Sequence, residues 1–89
     1  MGHTILYIED NPDNMLLVRR VLESRGYTLL SAVNGLDGVQ IAETQEVDLI
    51  LVDINLPDID GYEVTRRLRS SSKTALAYTP IIAITANAL

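Results

Sequence analysis

The stretch Asp48-Leu49-Ile50-Leu51-Val52-Asp53 constrains this chain more than any other: four aliphatic residues in a row, fenced by carboxylates. A strand with one face in water alternates apolar and polar residues, whereas a short unbroken run needs cover on both faces. Helices packed on either side of a parallel sheet supply that cover. Further strand-forming runs are present in Thr4-Ile5-Leu6-Tyr7-Ile8 and Pro80-Ile81-Ile82-Ala83-Ile84-Thr85, and 27–31 reads as a weaker one.

Helical patterns lie between these runs. Asn11-Pro12 is a start signal, Asn as N-cap and Pro in the first helical position. Met15, Val18 and Leu22 then recur at helical spacing, Leu17 and Val21 widen the stripe, and Gly26 supplies a stop. This predicts a helix over 12–25. Asn34-Gly35 opens a second, carrying Leu36, Val39, Ile41 and Ala42 and ending near Gln45. A third spans 61–69, with Tyr62, Val64 and Leu68 available for packing, after a loop over 54–60 that contains Pro57. Residues 70–79 form a polar connection, the least regular stretch of the chain. Strand and helix alternate through four strands, which implies right-handed crossovers and a doubly wound parallel α/β sheet in one domain over 1–89.

At 89 residues the chain buries roughly 64% of its surface on folding, enough for one core. With 47% hydrophobic and 21% charged residues it is too apolar for a disordered tail. The lack of Cys excludes disulfide scaffolds, thiolate zinc sites and cysteine nucleophiles, and a single His, His3, leaves no His-rich metal site. The net charge of −5 argues against nucleic acid as the main partner and suits cations or a basic surface. No apolar run approaches the roughly 18 residues of a membrane span, and no signal-peptide pattern opens the chain. The expectation is a cytoplasmic chain with no membrane association.

In an open parallel sheet, ligands bind outside the carboxyl ends of the strands. Those ends carry Glu9-Asp10, then Asp53 with Asn55 two residues on, then Thr85-Ala86-Asn87. Singly, each is an ordinary strand end. Together they bring three carboxylates to one edge, an arrangement that is unfavourable unless a cation neutralises it. Oxygen donors of this kind suit Mg²⁺, with Mn²⁺ as the alternative. The first strand-to-helix turn contains no glycine, so a dinucleotide would meet carboxylates instead of backbone amides. Asp53, at the end of the most apolar strand, has the chemistry of a nucleophile toward phosphorus, and Thr85 that of a hydroxyl donor to a phosphoryl oxygen.

These residues resemble the receiver domain of bacterial two-component response regulators. The resemblance rests on Glu9-Asp10, on the stretch from Asp48 through Asp53, Asn55, Pro57 and Asp60 to Gly61, and on Pro80 to Ala86; it runs along essentially the whole chain. It implies a flavodoxin-like sheet and a phosphoacceptor at Asp53, supplied by a sensor histidine kinase or a histidine phosphotransfer domain. It implies Mg²⁺ held by the side chains of Asp10 and Asp53 and the backbone carbonyl of Asn55, with Glu9 acting through the metal's water shell. Thr85 becomes the residue that moves toward the phosphoryl group, and the backbone N–H of Ala86 a further donor. Such a module is no enzyme beyond slow self-phosphorylation and autodephosphorylation.

The same resemblance implies a fifth strand and last helices, roughly 30–35 further residues, and with them a lysine for the phosphoryl group. Lys73, the one lysine present, precedes the fourth strand and is not assigned that role. The 89 residues are therefore expected to behave as a C-terminally truncated receiver whose 81–84 strand is a bare apolar edge. Such an edge leads to a homodimer or a domain-swapped assembly. Two alternatives stand beside the phosphoacceptor. One is a phosphorylation-incompetent receiver fragment serving as a binding or assembly module. The other is an Asp-nucleophile phosphatase, which is disfavoured because its Asp-x-Asp motif belongs on the first strand, whereas here the candidate nucleophile is on the third and is followed by Asn55.

Overall fold

A computed structural model describes residues 2–85. In chain order the elements are β1 (Thr4–Ile8), α1 (Pro12–Ser24), β2 (Thr28–Ala32), α2 (Gly35–Thr44), β3 (Leu49–Asp53), α3 (Gly61–Arg69), a 3₁₀ turn (Thr74–Ala77) and β4 (Ile81–Ile84). The four strands pair in parallel in the order β2-β1-β3-β4.

The two-residue period of a strand sorts the apolar side chains onto the two faces. On one face Leu6 and Ile8 of β1 and Ile50 and Val52 of β3 pack with Ala42 of α2 and Val64 and Leu68 of α3. On the other, Ile5 and Tyr7 of β1 and Leu29 of β2 meet Met15, Val18 and Leu22 of α1, with Leu49, Leu51 and Ile84 alongside. The uninterrupted 49–52 run is thus explained, since alternate residues serve different cores. Each fully buried aliphatic chain contributes roughly 1.5–3 kcal/mol, so both faces hold the sheet together.

Each helix starts where a side chain is ready to accept its first free N–H groups. Asn11 Oδ1 accepts from Asp13 and Asn14, Asn34 Oδ1 from Asp37, and Asp60 Oδ1 from Glu63. Gly26, with φ of 87°, closes the α1-to-β2 turn in the left-handed region.

Three sequence expectations need correction. Leu17 and Val21 are 63% and 50% exposed and do not widen the buried stripe of α1. At 100° per residue they lie about 90–130° round the helix from Met15, Val18 and Leu22, too far to reach a sheet on one side only. Leu36 and Tyr62 are likewise exposed. The 70–79 connection is more ordered than its polarity suggests, because the 3₁₀ turn drives Leu76 into the core and the Arg69 guanidinium donates to the carbonyls of Leu76 (2.8 Å) and Thr79 (2.7 Å). Arg69 is therefore an internal brace, while Arg66 and Arg67 pair with Glu63 on their own helix. Among the described residues no helix is long and apolar enough to cross a membrane.

Candidate functional site

Parallel register assembles the acidic edge. Ile8 lies opposite Val52, so the next residues on the two strands, Glu9 and Asp53, emerge side by side. Asp53 in turn lies opposite Ile84, so Thr85 follows at the same edge, exposed and one residue past β4. Ala86 lies outside the described residues.

Glu9, Asp10 and Asp53 each bring a carboxylate oxygen within 4.8 Å of the others. A cleft of about 350 Å³ opens over them, walled also by Asn11, Asn14 and Asn55. A larger cleft of about 500 Å³ lies at the amino ends of the strands, between His3, Leu22, Tyr27, Asp48 and Pro80, but it is mostly apolar and contains none of these three carboxylates. The acidic cluster lines the smaller one.

The three carboxylates are not equivalent. Asp10 is exposed, whereas Glu9 and Asp53 are 1% and 4% exposed. Burial pushes the Glu9 carboxyl above its ordinary pKa and the neighbouring charge of Asp53 adds to the rise, against hydrogen bonds from Asn11 and Tyr7 that oppose it. Those bonds grip both oxygens: the Tyr7 hydroxyl donates to Oε1 at 3.0 Å and the Asn11 N–H to Oε2 at 3.1 Å. Asp53 Oδ1 accepts the Asn55 N–H at 3.1 Å, a local turn that brings the Asn55 backbone to the site. A crowded set of hard oxygen donors, two of its three carboxylates buried, fits a small divalent cation such as Mg²⁺.

The loop from Asp53 to α3 is tied down at both ends. Gly61 donates its N–H to the Ile54 carbonyl at 3.0 Å. A Cβ on Gly61 would fall 2.8 Å from the Asp53 carbonyl oxygen, so only glycine permits this approach to the strand end. Midway, the Asp58 carboxylate accepts the N–H groups of Gly35 and Leu36, both at 2.8 Å, and so bolts the loop to the start of α2. Desolvation against the start of α2 raises the Asp58 pKa, but the backbone donors of Leu36, Gly35, Ile59 and Asp58 itself outweigh it and hold the carboxyl below its ordinary range.

Neither Asp58 nor the Tyr7 hydroxyl stood out in the sequence. For Tyr7 a signal existed, since positions 7 and 9 of one strand share a face. For Asp58 none did, because its partners lie 22 and 23 residues away. Lys73 stands away from the acidic edge and caps the end of α2, its Nζ donating to the carbonyls of Ala42 (3.0 Å) and Gln45 (2.7 Å).

Known proteins are similar to this chain in sequence and fold. The family model of the response regulator receiver domain matches residues 5–89. The polar-differentiation response regulator DivK of Brucella anthropi is 39% identical over 89 residues, covering 100% of this chain and 71% of its own, and that of Brucella ovis is 38% identical over the same span. The receiver domain of a sensor histidine kinase from Pseudomonas aeruginosa, solved with a magnesium ion coordinated in its active-site cleft, superposes with a TM-score of 0.90 at 43% identity, covering 100% of this chain and 71% of that one. A chemotaxis response regulator of Vibrio cholerae shares the fold at a TM-score of 0.87 and 24% identity, over 93% of this chain and 68% of that one. With the acidic edge built as described and the family model matching from the first strand onward, the chain belongs to the response regulator receiver domains of two-component signalling.

Proposed function

We propose that Asp53 is the phosphoacceptor of a phosphorelay and takes its phosphoryl group from a phosphohistidine on a sensor histidine kinase or a histidine phosphotransfer domain. One observation carries the reading: Asp53 closes an apolar strand yet opens into a cleft beside two further carboxylates within 4.8 Å. An Asp53 carboxylate oxygen forms a bond to phosphorus as the phosphorus–nitrogen bond of the donor breaks. The leaving imidazole keeps the electron pair and takes up a proton, and Asp53 is left as a mixed anhydride.

Asp10 and Asp53, with the Asn55 carbonyl, would hold Mg²⁺, and Glu9 would act through its water shell. The cation, when bound, supplies positive charge that offsets repulsion between Asp53 and the phosphoryl oxygens. Asn55 orients Asp53 through its N–H. Thr85, at the end of the neighbouring strand, would donate its hydroxyl to a phosphoryl oxygen, with the Ala86 N–H as a second donor. The chain acts as a signalling acceptor with slow chemistry of its own, in the cytoplasm.

Intact mass before and after incubation with Mg²⁺ and a small-molecule phosphodonor tests this. One added phosphoryl group on the wild type and none on Asp53→Ala is expected; no adduct on the wild type, or an equal one on the variant, refutes the assignment. We further infer that the isolated 89-residue chain pairs with a second copy through β4, an edge strand among the described residues with Ile82 half exposed. Sedimentation showing a monodisperse monomer at micromolar concentration refutes that pairing.

A further inference from the structure

Tyr7 occupies an apolar position, where an aliphatic or phenyl side chain would bury no polar group of its own. It is 1% exposed, on the α1 face of β1, among Ile5, Leu29 and the apolar residues of α1. A hydroxyl placed there loses its water and gains only what the protein returns to it. What it meets is Glu9 Oε1 at 3.0 Å.

Glu9 needs such a partner more than Asp10 or Asp53 does. Its side chain has three torsions to fix, it is buried, and it faces the like charge of Asp53. Left to itself, a glutamate in that position relieves the crowding by rotating away or by taking a proton. The Asn11 N–H restrains Oε2 through the backbone at the start of α1. That leaves Oε1, and the phenol reaches it from the core side of the sheet.

We propose that Tyr7 is a positioning residue of the acidic site, its hydroxyl holding the Glu9 carboxylate turned toward Asp10 and Asp53 so that a divalent cation and its water shell find it already in place. Tyr7 touches neither cation nor phosphoryl group. Its work is to remove, before binding, the freedom that Glu9 would otherwise lose on binding. The proposal rests on the metal reading given above and adds to it a residue from outside the acidic set.

The experiment is a calorimetric titration of Mg²⁺ into the wild type, Tyr7→Phe, Glu9→Gln and the double variant, with thermal unfolding of each in chelator. Tyr7→Phe is expected to weaken Mg²⁺ binding by roughly three- to tenfold, the worth of one hydrogen bond. In the Glu9→Gln background the same substitution should change little, because the group it positions is altered. A tyrosine that serves only the core would lower the melting temperature and leave Mg²⁺ affinity unchanged, or shift it equally in both backgrounds. Either result overturns the proposal, as does tighter binding by Tyr7→Phe.

Should Tyr7→Phe fail to fold, Tyr7→Leu, which also removes the hydroxyl, takes its place in both backgrounds, with weaker Mg²⁺ binding expected only where Glu9 is intact; equal affinity to the parent in both backgrounds overturns the proposal. A wild type that binds no Mg²⁺ refutes the metal reading itself and this proposal with it. Binding by the wild type that is indifferent to Tyr7 refutes the positioning role alone.

Discussion

Asp53→Asn should make the metal-free protein more stable while removing its response to Mg²⁺. Asp53 and Glu9 carry carboxylate oxygens within 4.8 Å of each other. Two full charges at that distance repel by about 3.5 kcal/mol at an effective dielectric of 20, and by about 0.9 kcal/mol in bulk water. The site opens to solvent through its cleft, so the repulsion falls between these limits, about 2 kcal/mol. Asparagine keeps the shape of the side chain and still accepts the Asn55 N–H, though as a neutral acceptor it returns about 1 kcal/mol less. The net is a gain of about 1 kcal/mol in chelator at neutral pH. For a domain of this size that raises the melting temperature by about 4–8 °C. Mg²⁺ at ten times its Kd should stabilise the wild type by about 1.4 kcal/mol and the variant by much less, closing or reversing the gap. Thermal unfolding in chelator and in Mg²⁺ measures both halves. If Asp53→Asn melts at or below the wild type in chelator, the carboxylates are not held against their repulsion, and the case for a cation at this edge fails.

Gly61→Ala should lower the melting temperature through a clash with main chain. The new Cβ would sit 2.8 Å from the Asp53 carbonyl oxygen and 3.0 Å from the Ile54 Cα, a cost of about 1–3 kcal/mol that a helix-propensity gain below about 1 kcal/mol does not cancel. An unchanged melting temperature would show that α3 retreats from β3 freely. Asp58→Asn should cost about 0.5–1 kcal/mol at neutral pH, small because the group is exposed and screened. The folded-state pKa of Asp58 lies below its unfolded value of about 3.9, so its contribution is present above that value and lost as pH falls through the folded one. The difference in melting temperature between wild type and Asp58→Asn should therefore hold steady above about pH 5 and shrink below about pH 4; a difference that widens with acid refutes the assignment.

What the sequence disclosed and what it concealed divide along a physical line. The 49–52 run, the helix starts at Asn11 and Asn34 and the spacing of Val64 and Leu68 are local signals, and each produced the element it indicated within a residue or so. Leu17 and Val21 misled because hydropathy records what a side chain tolerates, while burial depends on whether a neighbour stands on that side of the helix. Arg69 and Asp58 were opaque for another reason: both satisfy backbone groups elsewhere in the fold, and such partners exist only once the layers have packed.

The acidic site falls between these cases. Each carboxylate was visible as a strand end, and the rule for open parallel sheets placed them on one edge. Their separation, however, is set by register. With Ile8 opposite Val52, Glu9 and Asp53 leave their strands together, and a shift of one residue would separate them by about 3.3 Å and turn one side chain to the other face. The large aliphatic side chains of Leu6, Ile8, Ile50 and Val52, which touch no phosphate and no metal, hold that register by filling a single core. The site is thus maintained by residues with no chemistry of their own, and a cavity opened at Ile50 should disturb cation affinity as well as stability.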